Sequence, residues 1–240
     1  MHDWSKLVDA YGPATEIPGL LSRLTPSAGD TGWTDAWGRL CHQGTVYTAS
    51  YAALPLLLDI ARRWTAEYRT NPLSLAAAIV ASEELEGSRD ELIAPYVWTI
   101  EKFSKLARES LSVPNCSSTD FRYLIGATLV FNGHLQLGER FESLKNGCVT
   151  GRCTDCSEFV CFVIGNGEYF STTVGWHPGA ITKRFAIEPI TEHELHGVEK
   201  WAYDECLAGN QTKLASDFCY FLGRTNCPMC HCRIDVAECL

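Results

Sequence analysis

Residues 54–61 read LPLLLDIA, a proline followed by an apolar run at helical spacing, and the pattern occurs twice more. IPGLLSRL stands at 17–24 and APYVWTIE at 94–101, each with a small or apolar residue, a proline and then a helical stripe. The prolines are at 18, 55 and 95, so the intervals are 37 and 40 residues. Proline inside a helix costs about 3 kcal/mol unless the helix bends or begins there. A near-constant interval therefore reads as one bend or start recurring in the second helix of each successive pair. An ordinary helical bundle with coincidental prolines is the competing reading.

The segments around these three stretches are also helical. Trp4, Leu7, Val8 and Tyr11 have helical spacing up to Gly12-Pro13, and Trp33, Trp37 and Leu40 form another stripe that stops near HQGT. A long apolar helix follows over 46–64. NPLSLAAAIVASEELEG has a proline in its first turn and a glycine just past its end, the expected punctuation. Ser88 and Glu91 have capping-box spacing and open a helix that ends near Leu111. STDFRYLIGATLVF and LQLGERFESLKNG make a final pair. The tryptophans at 33, 37, 64 and 98 fall on these stripes and read as core.

After Gly147 the period changes. SEFVCFVIGNGEYFSTTV holds two β-rich runs joined by Gly165-Asn166-Gly167, a hairpin signal. Two amphipathic helices and a short strand, RIDVAEC, complete the chain. The expectation is a mainly α protein, with stacked helix pairs over residues 1–146 and a small α+β module with two inserted helices over 147–240. A helix pair repeating every 40 or so residues resembles HEAT-type α-solenoids, on a loose motif covering roughly residues 3–145.

GRCTDCSEF begins at Gly151 and TNCPMCHCRI at Thr225, so each holds a Cys-x-x-Cys just ahead of a β-like run. Structural zinc takes four soft ligands in a tetrahedron, and a Cys-x-x-Cys turn supplies two. Cys153, Cys156, Cys227 and Cys230 thus read as ligands of one structural Zn²⁺, closed by four thiolates against water and substrate. They resemble the zinc-ribbon family, the second motif in its Cys-Pro-x-Cys form, but 70 residues separate Cys156 from Cys227, where ribbons have a shorter gap. A redox pair would sit between a strand and a helix, and reduced, independent cysteines are the third option. His231 and Cys232 stand close enough in sequence to replace Cys230. Cys41, Cys116, Cys148, Cys161, Cys206, Cys219 and Cys239 read as small buried hydrophobes or incidental thiols.

Catalytic patterns are weak. HELH puts His193 and His196 three apart, whereas the metalloprotease helix needs four. Cys41 lies beside His42, but neighbours on a helix diverge by about 100°, and no orienting carboxylate can be assigned. No phosphate-binding glycine loop occurs. The expectation is a non-enzymatic protein.

A net charge of −9 disfavours nucleic acid and favours a basic protein partner. The corner EELEGSRDE, with Glu83, Glu84, Glu86, Asp90 and Glu91, is a candidate contact for it, and Trp176 in a Gly/Pro loop is a candidate anchor. The first thirteen residues contain no apolar h-region and no apolar run is long enough to span a membrane, so the expected location is the cytoplasm. The stretches HDW.KL..AYGPA..IP.LL and W.RLCHQGTVY.ASYAALP, ahead of two knuckles, resemble bacterial HEAT-like proteins, some of which are immunity proteins. That resemblance implies a partner that is a secreted toxin, bound and neutralised. An adaptor or regulator with a zinc ribbon is the alternative, and a cysteine or metal enzyme follows it.

Overall fold

The computed structural model describes residues 2–27, 29–82, 89–144, 147–175, 177 and 183–240, with backbone only at 89 and 90. The chain is mainly helical, with small sheets towards its C-terminal end. It divides into two compact units, Met1–Glu139 and Arg140–Leu240.

The first unit begins with a 3-10 turn at Trp4–Lys6 and a hairpin of β1 (Val8–Asp9) and β2 (Gly12–Pro13). This corrects the helix expected over Trp4 to Tyr11. The cause is Asp9, whose side chain is fully buried. Its carboxylate accepts the Tyr11 N–H at 2.8 Å and pairs with Arg39 at 2.9 Å, so the backbone turns where a helix would continue.

Six longer helices follow: α1 (Ile17–Arg23), α2 (Gly32–Leu40), α3 (Thr48–Arg63), α4 (Thr70–Ala81), then, after the short α5 (Arg89–Ile93), α6 (Val97–Leu111) and α7 (Ser118–Phe131). The hairpin β3 (Cys41–His42) and β4 (Thr45–Val46) links α2 to α3, turning through Gln43 and Gly44, both at positive φ. Ser50 ties this corner together, its Oγ accepting the Tyr47 N–H and donating to the Leu40 carbonyl. Ser117 caps α7 by accepting the Asp120 N–H at 3.0 Å. α8 (Leu135–Ser143) spans the division between the units.

α1 packs on α3 and α3 on α6, while α2 packs on α4 and α4 on α7; across these two rows the pairs α1–α2, α3–α4 and α6–α7 are in contact. The three prolines all accompany the first row, hence the first helix of each of these pairs and not the second as expected. Pro18 is in the first turn of α1, Pro55 is inside α3, and Pro95 is in the 3-10 turn Ala94–Tyr96 just before α6. Two of them mark helix starts and one a helix interior.

α4 and α7 are apolar nearly all round because each has neighbours on several sides. Leu73, Leu75, Ala76, Ala77, Ile79 and Val80 are buried on α4, as are Phe121, Leu124, Ile125 and Leu129 on α7. Phe103 and Phe131 stack between α6 and α7 with ring centroids 5.2 Å apart. Trp33 is core as expected, and meets Trp64 edge to face. Trp98 is not core: it is 71% exposed, with the Lys102 ammonium over its ring.

The second unit contains a four-stranded antiparallel sheet in the order β5-β6-β7-β8, formed by Cys148–Arg152, Phe159–Gly165, Glu168–Thr173 and Phe185–Ala186. The expected turn at 165–167 joins β6 to β7, and Gly165, Asn166 and Gly167 all have positive φ. β5 was not foreseen. α9 (Gly197–Ala208) and α10 (Thr212–Phe221) follow, and α10 packs on β6. Tyr169 of β7 stacks on Tyr220 and donates to Asp217, fastening sheet to helix. Phe141, Phe162, Phe218 and Phe221 are fully buried here. The chain ends with the hairpin β9 (Arg224–Asn226) and β10 (Arg233–Asp235) and a 3-10 turn at Ala237–Cys239. No described helix is long and apolar enough to cross a membrane.

Candidate metal centre

Each Cys-x-x-Cys sits at the turn of a hairpin. Cys153 and Cys156 lie between β5 and β6, and Cys227 and Cys230 between β9 and β10. The two turns have the same hydrogen bonds. Cys153 N donates to the Glu158 carbonyl and Ser157 N returns to Cys153 O, both at 2.9 Å. Cys227 N donates to the Cys232 carbonyl at 2.9 Å and His231 N to Cys227 O at 3.1 Å. Ser157 and His231, at the matching position, have φ of 60° and 65°. This backbone path curls the chain around its first cysteine, whose sulfur receives N–H groups from inside the turn. Cys153 takes those of Asp155 and Cys156; Cys227 takes those of Met229 and Cys230.

The second hairpin is docked on the sheet. Glu188 and Arg224 exchange backbone hydrogen bonds of 2.8 and 2.9 Å, beside β8. Thr225 Oγ1 reaches the carbonyls of Phe185 and Ala186, and Ser171 Oγ donates to the Asn226 carbonyl at 2.7 Å. Residues far apart in sequence are thereby brought face to face, and the 70-residue interval is filled by β6–β8 and the two helices.

The four sulfur atoms of Cys153, Cys156, Cys227 and Cys230 all lie within 4.8 Å of one another. Cys153 Sγ is 3.7 Å from Cys230 Sγ, and Cys156 Sγ is 3.8 Å from Cys227 Sγ. A regular tetrahedron with Zn–S bonds of about 2.3 Å has S···S edges of about 3.8 Å. The cluster therefore fits a tetrahedral metal ion, and four thiolates suit zinc or iron. Cys153 and Cys227 are buried, whereas Cys156 and Cys230 are half-buried.

Ionisation is uneven across the four. Burial opposes the Cys153 thiolate, but the N–H groups of Cys156 and Asp155 and the adjoining thiols outweigh it and draw the group down to about 7. Cys156 receives the Glu158 N–H, which favours ionisation; burial and the thiols of Cys153, Cys230 and Cys227 prevail and push it up to about 12. Burial, with the thiols of Cys153 and Cys230, also raises Cys227. Cys156 and Cys227 therefore hold their protons until a cation takes their place.

The neighbouring candidates are arranged differently. Cys232 is exposed and lies outside the four-sulfur cluster. His231 faces away too: Lys183 Nζ is 3.0 Å from its Nε2, and its ring meets Phe185 edge to face. Cys148 and Cys161 are not incidental thiols but form a disulfide between β5 and β6, which corrects the sequence reading. The register pairs Cys148 with Val163 and Cys161 with Thr150, which places the two cysteines diagonally on one sheet face, Cα atoms 6.3 Å apart. Cys239 is a further thiol near the cluster, buried like Cys153 and Cys227; burial pushes it up to about 11, and it accepts the Thr154 N–H.

His193 is in a 3-10 turn and His196 precedes α9, so the two share no helix. Cys41 and His42 are successive residues of a strand and point to opposite sides. Of the expected contact residues, Glu91 is exposed on α5; Asp90 is in α5, its side chain not described; Glu83, Glu84, Glu86 and Trp176 lie outside the described residues. Three arginines near the knuckles meet carboxylates, Arg184 with Glu168 at 2.9 Å, Arg224 with Asp235 at 2.9 Å, and Arg233 with Glu188, whereas Arg152 donates to the Ser157 carbonyl and lies over the Phe159 ring.

Compared with family models, with curated proteins and with solved structures, the chain matches none.

Proposed function

We propose that this protein is a non-enzymatic, protein-binding scaffold whose second unit is closed by one structural zinc ion. The observation that supports the binding reading is the succession α1–α3–α6 alongside α2–α4–α7, three helix pairs each in contact with the next. Pairs stacked in this way, as in HEAT-like arrays, build extended surfaces that recognise other proteins. The zinc reading rests on sulfur spacings close to the edges of a zinc–thiolate tetrahedron and on two knuckles with the same backbone path. Four cysteine ligands leave no position for substrate, so the metal's role is to fix the fold.

The narrower form of this reading is an immunity protein for a basic toxin, supported by the net charge of −9 through electrostatic steering. A zinc-ribbon adaptor touching nucleic acid has less support, because the net charge is −9 and, of the basic residues beside the knuckles, Arg184, Arg224 and Arg233 are each matched by a carboxylate while Arg152 and Lys183 are not. The test is affinity capture with the full chain, followed by reconstitution of the complex from purified components and co-expression of the captured partner. A stoichiometric complex that weakens with salt supports the binding reading. Relief of the partner's toxicity on co-expression supports immunity. A captured partner that is harmless when expressed alone removes the immunity form, and failure to capture and reconstitute any stoichiometric complex contradicts the whole reading.

A further inference from the structure

We infer that the Cys148–Cys161 disulfide is a positioning element of the metal centre: it holds the first knuckle in its metal-binding shape, and its reduction weakens metal binding. The inference rests on reading the four-cysteine cluster as a metal site. Cys148 opens β5 and Cys161 is in β6, so their bond closes a loop with Cys153 and Cys156 at its turn. The loop is short, with a sequence separation of 13.

The two knuckles differ in how they are held. The β9–β10 hairpin is fastened to the sheet through Glu188–Arg224, Thr225 and Ser171. Among the described residues, β5 is the outer strand of its sheet, with β6 as its one neighbour. The C-terminal turn lies over the face of β5 towards which a Cβ at Gly151 would project, so close that this Cβ would come within 2.3 Å of the Cys239 carbonyl oxygen. The disulfide is the covalent part of the first knuckle's support. Without it, the hairpin has more conformations to lose when the metal draws Cys153 and Cys156 together, and that loss is subtracted from the binding free energy.

Reduction is a two-electron exchange with a dithiol. A reductant thiolate attacks Sγ of the half-buried Cys148, and Cys161 Sγ leaves as a thiolate and takes a proton. The reductant's second thiol then closes its own disulfide and releases Cys148 as a thiol. One protein disulfide and one dithiol become two protein thiols and one oxidised reductant, while the four metal-binding cysteines stay reduced throughout.

The test is a cobalt(II) titration of the full chain under argon, followed by the thiolate-to-cobalt absorption bands and by zinc competition. Four forms are compared: the chain with the disulfide intact, the chain reduced with dithiothreitol and then freed of it, Cys148→Ser/Cys161→Ser, and Cys148→Val/Cys161→Val. The valine variant refills the apolar site beside Val163 and Phe170, so it separates the cross-link from packing. The expected result is a band of unchanged shape with cobalt Kd raised on the order of tenfold in all three forms lacking the bond. Equal Kd values, within twofold, in the intact and valine forms would overturn the inference while leaving the metal centre in place. Absence of the bands from every form would instead overturn the metal centre, and this inference with it.

Discussion

Gly151 shows how closely one residue is constrained at the metal centre. It sits in β5 opposite Val160, and a Cβ there would meet the Cys239 carbonyl carbon at 2.8 Å as well as its oxygen. Both are backbone atoms, which cannot swing aside as a flexible side chain would. Gly151→Val should therefore push the C-terminal turn from the first knuckle and cost about 2 kcal/mol or more. Urea unfolding of the metal-loaded variant would check this, and a midpoint like that of the parent would refute the close approach. The thiols define a second outcome at this scale. Metal binding needs thiolates, and Cys156 and Cys227 are raised above the ordinary cysteine value, so both are protonated at neutral pH. Each must give up a proton, so affinity rises with pH and falls as acid is added. Together they contribute about a hundredfold change in Kd per pH unit around neutrality. Zinc competition between pH 6 and 7.5 would measure the slope, and a flat profile would show that these two thiols are not ligands.

Among the elements, the N-terminal hairpin shows why spacing alone misled. Trp4, Leu7, Val8 and Tyr11 have helical intervals, yet the buried Asp9 carboxylate turns the chain towards Arg39, 30 residues away. No local pattern reveals a partner at that distance. Arg39→Met should leave Asp9 buried without its cation and destabilise the chain by about 3 kcal/mol. Thermal unfolding of the variant would measure the loss, and Asp9→Asn/Arg39→Met should recover part of it. Trp98 lies outside the core for a related reason. Pro95 breaks the helix into α5, a 3-10 turn and α6, so the stripe drawn from Ser88 onward loses its phase. Within α6 the buried face runs through Phe103, Ala107, Ser110 and Leu111. Trp98 lies five residues before Phe103, about 140° round the helix from it. β5 escaped notice because CVTGR is short, follows a helix and gains its strand character only by pairing with β6. The Cys148–Cys161 bond was hidden with it, since the diagonal pairing exists only once that register is known. By contrast, the two knuckles, the 165–167 turn, α7 and the start of α4 were legible, because turn chemistry and strong periodicity act locally; α4 itself ends at Ala81, short of the expected stop at Gly87.

On the scale of the whole molecule, the two units draw on different sources of stability. The first buries aliphatic and aromatic side chains between helix rows, with Leu54, Leu57, Ile60 and Phe103 fully enclosed. Phe103→Ala should cost about 3–5 kcal/mol by emptying the contact with Phe131. Calorimetry of the metal-loaded variant would measure it, and a loss below 1 kcal/mol would contradict the packing described. The second unit has a sheet, two helices and a hairpin whose ladder is three residues long, and in the zinc reading a metal ion holds that hairpin to β5–β6. The most direct test of that centre is the metal content of the purified full chain by mass spectrometry, with and without Cys153→Ser/Cys227→Ser. The account predicts one zinc per chain in the parent and none in the double variant. A parent with four free thiols and no metal, or a double variant that retains its zinc, would contradict it.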